Sequence, residues 1–287
     1  MSRVDVRKTH KLFIGGSFPR SESGRTYEVT DSKDQFLANM ALASRKDARD
    51  AVLAARSAVA KWSAATAYNR GQVLYRIAEV MEGRREQFIS EVSDSEGVSS
   101  RKAGAHVDAA IDRWVWYAGW ADKYAQVIGN TNPVAGPFFN FSVPEPTGVV
   151  AAVAPQDASV LGLVSVVAPI IVTGNAVIIM PSSSRPIPAI TLAECLATSD
   201  VPAGVVNILT GAPAEVMPWL AEHADVNALD LTGIVDEGVA ADLERSAAGT
   251  VKRVRGAAPH ADWQATPSLS RIRAFVEVKT VWHPMGV

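Results

Sequence analysis

Between Ser44 and Trp62 the apolar positions Ala48, Val52, Ala55, Val59 and Trp62 recur every three or four residues. That spacing draws one stripe along a helix. Ser44 supplies the N-cap and Asp47 an acidic first turn. A second helix is predicted from near Tyr68, with Leu74, Ile77 and Met81 inward and Gly83 interrupting it before Phe88 and Val92. A third is predicted from about Arg101 to Ile128, with Val107, Ile111, Trp114, Ala118, Ala121 and Ala125 on its stripe. Trp116 and Trp120 lie off that stripe, so this helix is expected to pack on two sides, its aromatics serving as core or subunit contacts. Ahead of the helices, "KLFIGGSF" and "YEVTD" predict short strands around a Gly15-Gly16 turn.

From Gly148 the pattern changes. Short β-rich runs, "GVVAAVA" (148–154), "NAVIIM" (175–180), "GVVNIL" (204–209), "VNALDL" (226–231) and "VKRV" (251–254), alternate with helical segments. Strands apolar on both faces and separated by helices indicate a parallel sheet covered on both sides. The expected class is α/β, a doubly wound Rossmann-like sheet whose ligands bind outside the carboxyl ends of the strands. The most apolar window, "ASVLGLVSVVAPIIVTG", is shorter than the roughly 20 residues of a membrane span and contains Pro169, which predicts a buried helix.

Two pieces stand apart. "NTNPVAGPFFNFSVPEP" predicts a linker with a strand from Phe138 to Val143, its prolines suiting an edge strand or extended arm. After an aperiodic stretch, Phe275 to Trp282 predicts a terminal strand, which must pair with that segment or with another chain. The expected layout is strands and helices over 1–132, a β-arm over 133–147, the Rossmann-like body over 148–255, and a linker with a terminal strand over 256–287.

Composition narrows the function. The 287 residues carry a formal net charge of −2, against the basic face of a dedicated nucleic-acid binder. The run Lys252-Arg253-Val254-Arg255 is expected to be a solvated strand end. A single cysteine excludes an internal disulfide framework and a thiolate zinc site, and no metal site is expected. It fits a reducing cytosol. With no long apolar stretch at the N-terminus, the expectation is a soluble, cytoplasmic protein that inserts in no membrane.

These pieces, in this order, resemble the aldehyde dehydrogenase superfamily. "KLFIGGSF" is similar to that family's opening strand, and "EPTGVVAAVAP" to the approach to its first Rossmann strand. "VAPIIVTGNAVIIMPS" resembles its helix, Gly-Asn turn and second strand, and "VPAGVVNILTG" its third. "LTGIVDEG" lies where the family has a Thr-Gly-Ser turn at a helix N-terminus, and "EVKTVWHPMG" resembles the family's extreme C-terminus. The resemblance covers about 1–254 and 270–287. It implies that the catalytic domain, which should fall between them, is missing.

What the resemblance implies for the chemistry is then read residue by residue. The family's reaction needs a thiolate nucleophile, an oxyanion donor and a carboxylate base. The only thiol is Cys195, which lacks the preceding Gly-Gln and is expected to be a small buried apolar side chain. Asp157 takes the place of the oxyanion-binding Asn; a carboxylate repels an oxyanion, and an N-cap of the helix over 158–173 is the expected role. Ala257 takes the place of the general base, and Ala moves no proton. His260 and Asp262 nearby are expected to lie in a surface loop. The family's ribose clamp, Lys and Glu, is replaced by Met180 and Ser183, and a Ser near the pyrophosphate by Ile234, next to Gly233. Backbone amides there retain some attraction for phosphate, but Asp236 and Glu237 compete. Losing two polar contacts at about 1–3 kcal/mol each leaves weak NAD(P) binding and no tightly bound cofactor.

The resulting expectation is a non-catalytic (pseudoenzyme) subunit of the aldehyde dehydrogenase family, pairing with a full-length aldehyde dehydrogenase in a hetero-oligomer or with itself. Loss of a domain is expected to expose apolar area on the body. The expected assembly residues are Phe139, Phe141, Val276, Val278 and Trp282. Two alternatives are an NAD(P)-dependent aldehyde oxidoreductase that is part of a split enzyme, and a weak nucleotide-sensing module.

Overall fold

The computed structural model describes residues 6–258 and 261–286. Strands β1 (Thr9–His10), β2 (Thr26–Thr30) and β3 (Phe36–Ala41) form a small sheet in the order β1-β3-β2. The "KLFIGGSF" run is not a strand of that sheet. Gly15 and Gly16 take positive φ values of 59° and 77°, a conformation that suits glycine. The chain turns there, leaving Phe13 in an isolated bridge to Ile208. The Gly15 N–H donates to Asn207 Oδ1 at 2.9 Å, which pins the turn to the main body.

Five helices follow: α1 (Arg45–Ala64), α2 (Ala67–Glu82), α3 (Arg85–Glu96), α4 (Ser100–Trp120) and α5 (Tyr124–Ile128). Ser44 and Asp47 form a capping box on α1, the Ser44 N–H donating to Asp47 Oδ2 at 2.8 Å. Gly83 closes α2, and Leu74, Ile77 and Met81 are fully buried. The expected long third helix divides. A turn at Ala121–Lys123 redirects the chain so that Tyr124 enters the core while Lys123 remains outside. Trp116 and Trp120 stand at the core margin with ring centroids 5.6 Å apart.

The chain then runs through β4 (Asn130–Asn132), β5 (Phe138–Pro146), β6 (Val149–Val153), α6 (Leu161–Val172), β7 (Ala176–Met180), α7 (Ile187–Ala197), β8 (Val206–Ile208), α8 (Pro213–Glu222), β9 (Ala228–Asp230), α9 (Glu237–Ala248), β10 (Arg253–Arg255), α10 (Ser270–Ala274) and β11 (Val276–Pro284). The five expected body strands form one parallel sheet, order β10-β9-β6-β7-β8. Strand alternation sorts its side chains into two cores. Val150, Ala152, Val177 and Ile179 face α2, α4, α6 and α7; Val149, Ala151, Val153, Ile178 and Met180 face α1, α8 and α9. All twelve residues of α6 are buried, which explains why its sequence is apolar all round rather than striped. Among the described residues no helix is long and apolar enough to cross a membrane.

The arm differs from its expected form. β5 is the central strand of a three-stranded antiparallel sheet, order β11-β5-β4. Its prolines are tolerated because β4 pairs only with Asn140–Ser142, so Pro144 and Pro146 lie past its end and face β11 alone.

The segment after β10 packs on the body. Trp263, Ile272 and Phe275 join the larger core, and α10 packs on α6. Arg113 of α4 donates from Nη2 to the carbonyls of Trp263 and Ala265, both at 2.9 Å, and from Nη1 to Ser165 of α6 at 2.8 Å. Arg271 donates from Nη1 to Asp230 Oδ2 at 3.0 Å. The basic run is likewise not a solvated strand end. Arg253 forks onto Glu277 of β11 at 3.0 and 2.6 Å, and Lys252 is buried. Burial and the adjacent Arg271 lower the pKa of Arg255.

Candidate functional site

The strand order reverses beside β6, so a ligand crevice is expected at the carboxyl ends of β6, β7 and β9. Gln156 organises the first two. Its Nε2 donates to the Ala154 carbonyl at 2.8 Å, and its Oε1 accepts from the Ser183 N–H at 3.0 Å and hydroxyl at 3.2 Å. The Ser182 hydroxyl donates to the Gln156 carbonyl at 2.8 Å. Arg185 closes the same edge, donating to the Asp157 carbonyl at 2.7 Å.

Asp157 is exposed and caps nothing. Helix α6 begins at Leu161, and the loop before it is held from the other side, with the Ser159 N–H and hydroxyl donating to Glu96 Oε1 at 2.8 and 2.7 Å. The second oxygen of Glu96 lies 3.0 Å from His106 Nδ1. The buried carboxylate thereby fixes the orientation of the ring. Asp157, His106, Lys102, Arg185 and Trp263 line one cavity of about 320 Å³ between α4, the Pro155–Ser159 loop and the linker. His106 lines the cavity, and no thiol does.

Cys195 lies elsewhere, fully buried on α7 within the larger core. Burial pushes its thiol up to about 12. The sulfur therefore stays protonated near neutral pH and is no nucleophile. Ala257 is exposed after β10, where only a methyl group projects. His260 lies outside the described residues. Asp262 lies exposed in an irregular surface segment, as expected, and lines the cavity beside Trp263, its Oδ1 accepting from the Gln264 N–H at 2.9 Å. Among the described residues no group of His, Cys, Asp and Glu is arranged to hold a metal ion.

The four cofactor positions are occupied by the fold's own packing. Met180 and Ile234 belong to the core under α1, α8 and α9. Ser183 is bound to Gln156. The Gly233 N–H donates to the Val153 carbonyl at 3.0 Å, and a Cβ there would stand 1.9 Å from the Ala154 carbonyl oxygen. At the start of α9, Asp236 Oδ1 accepts from the Val239 N–H at 3.0 Å, with Glu237 in the first turn. The Val239 amide at that helix start is thus already bonded to a carboxylate. These residues do not fit a charged dinucleotide clamp.

The expected assembly residues are split by the strand register. Phe139 and Phe141 lie on one face of β5 with ring centroids 5.5 Å apart. Trp282 and Val278, opposite Asn140 and Pro144, lie on the other. Trp282 is 58 % exposed, whereas Val276 is only 3 % exposed and anchors the strand in the core. The missed residues are Glu96, His106 and Gln156. No local signal marks the first two, which sit on separate helices ten positions apart and meet through packing alone.

A twisted parallel sheet covered by helices on both faces, with a crevice at its carboxyl edge and a projecting antiparallel arm, defines a doubly wound α/β protein. The profile of the aldehyde dehydrogenase family matches residues 18–256, and the chain belongs to that family. It is 33 % identical over 246 residues to the cytosolic 10-formyltetrahydrofolate dehydrogenase of Pongo abelii, covering 83 % of this chain and 27 % of that protein. It is 30 % identical over 261 residues to the cytosolic aldehyde dehydrogenase 1 of Elephantulus edwardii, covering 88 % and 51 %. The NAD+ complex of an aldehyde dehydrogenase from Bacillus cereus superposes with a TM-score of 0.81 at 26 % identity, covering 86 % of this chain and 50 % of that one. The chain thus spans about a quarter to half the length of these relatives.

Proposed function

We propose that this chain is a non-catalytic member of the aldehyde dehydrogenase family that acts as an assembly subunit, joining itself or a full-length aldehyde dehydrogenase through the β5–β11 arm. One observation carries this reading. The arm is a three-stranded sheet with Phe138 and Trp282 in edge-on contact, 5.7 Å between centroids, on an exposed face, while the reactive positions are an exposed Asp157, a methyl at Ala257 and an inert Cys195. Apolar area of this kind on a projecting sheet favours burial against another chain. The test is light scattering after size exclusion, alone and after co-expression with a full-length homologue. Oligomers lost on changing Trp282→Ser and Val278→Ser support the proposal, and a monodisperse monomer in both preparations overturns it.

The NAD+ complexes among the structural neighbours support weak dinucleotide binding at the crevice, in the millimolar range once two polar contacts are lost. Micromolar NAD binding, or aldehyde-dependent NAD reduction abolished by Cys195→Ala, would favour instead the enzymatic reading in which the chain is half of a split enzyme.

A further inference from the structure

The small N-terminal sheet borders a second, solvent-open cavity of about 300 Å³, with Lys11, Arg20 and Arg25 exposed at its rim, the lower end of the range for small-molecule pockets. Ala41, the last residue of β3, forms its floor. Thr9 to Lys11 flank one side and Thr26 of β2 the other, and the loop from Arg20 to Arg25 closes over it. It shares no lining residue with the crevice. Lys11, Arg20 and Arg25 all line it, and no carboxylate does. Arg25 donates to Glu215 at 3.0 Å, while Lys11 and Arg20 make no ion pair among the described residues. The nearest buried acid, Asp47, is engaged by the Ser21 hydroxyl at 2.7 Å and by the Glu22 and Ser44 N–H groups.

A second observation is independent of the cations. His10 lines the cavity, is 7 % exposed, and makes no side-chain hydrogen bond among the described residues. Burial, and then Lys8, lower its pKa to about 4 against the opposing charge of Glu194. The neutral ring carries one donor and one acceptor, and buried polar groups ordinarily find partners.

We propose that this cavity binds a phosphate monoester of a small metabolite. A lining without carboxylates, in which Lys11 and Arg20 are unpaired among the described residues and Arg25 is shared with Glu215, concentrates anions, and favours a dianion over a monoanion. The planar fork of Arg20 matches phosphate oxygens in pairs, with Lys11 as a point charge, and His10 supplies an N–H donor. The volume leaves room for an organic remainder beyond the phosphate group. The site stands independently of the assembly role proposed above.

The test is calorimetric titration of the whole chain with glycerol phosphate, inorganic phosphate and acetate at constant ionic strength and about pH 7.5, where the second phosphate ionisation is essentially complete. Glycerol phosphate is expected to bind saturably and more tightly than inorganic phosphate, with acetate inert. Changing Lys11→Ala together with Arg20→Ala should weaken binding at least about tenfold with an unchanged melting temperature, and Lys33→Ala, outside the cavity, should leave it intact. By NMR the His10 ring should titrate at higher pH when the ester is bound, because a neighbouring dianion favours the charged imidazole. Absence of saturation at tens of millimolar ester, equal affinity for inorganic phosphate, undiminished binding by the double variant, or an unmoved His10 titration would each overturn the proposal.

Discussion

Arg271 and Asp230 form a buried ion pair, Nη1 to Oδ2 at 3.0 Å, that ties the segment after the body to the fourth strand of its sequence. Thr232 joins them, giving its hydroxyl to Asp230 and accepting Arg271 Nη2 at 3.1 Å. The guanidinium also lies 5.1 Å from the centre of the Trp263 ring. Breaking a buried pair by removing one partner strands the other charge. Arg271→Met should therefore cost about 3–5 kcal/mol in urea denaturation, with much of the loss recovered in the double variant with Asp230→Leu. A single-variant cost below about 1 kcal/mol would show that the linker does not seal the body.

The state of Cys195 is directly measurable. With its thiol pushed up to about 12 by burial within α7, the native protein should resist alkylation and react only after unfolding. Rapid stoichiometric labelling of the native chain at neutral pH would contradict the buried position and reopen the thiol as a nucleophile.

His10 gives the fold a pH dependence of definite sign. Its folded pKa, about 4, lies below its ordinary value of 6.5, so between these values the unfolded chain binds more protons than the native one. The stabilisation from a neutral buried ring is complete above about pH 6.5 and is lost as pH falls towards about 4. Wild type should lose more stability than His10→Gln between these limits, as read by urea midpoints. Parallel curves would remove His10 as the cause.

Gly233 sits where the turn before α9 closes on the end of β6. A Cβ would lie 1.9 Å from a main-chain oxygen of Ala154, and neither backbone segment has a flexible end to yield. Gly233→Ala should cost more than about 3 kcal/mol, among the larger single-residue effects, whereas Gly119→Ala, with open space around it, should be neutral or stabilising. Equal melting temperatures for the two variants would refute the close approach.

Much of the molecule was legible because periodicity reports burial locally. The unbroken apolar run of Val149 to Val153 and the three-and-four spacing from Ala48 to Trp62 each state which faces are covered, and the parallel sheet and α1 follow. In "KLFIGGSF" the turn at Gly15-Gly16 is legible, but the pairing is reduced to two isolated bridges, Ile14 to Ser17 and Phe13 to Ile208 of β8, so no full strand forms. The long third helix misled because the stripe runs through Ala121 and Ala125 without interruption, while the turn between them is set by where Tyr124 finds core.

The sequence by itself determined the doubly wound body, the arm and the terminal strand, because residue identity and spacing are properties of the chain alone; that β11 pairs with β5 was decided by the fold. Only the tertiary structure decided how the linker closes the body through Arg113 and Arg271, that Val276 is an anchor and Trp282 a surface, and that Glu96 meets His106. Those relationships join segments tens to more than a hundred positions apart, or separate helices. Their free energy exists only once packing has removed water from between them.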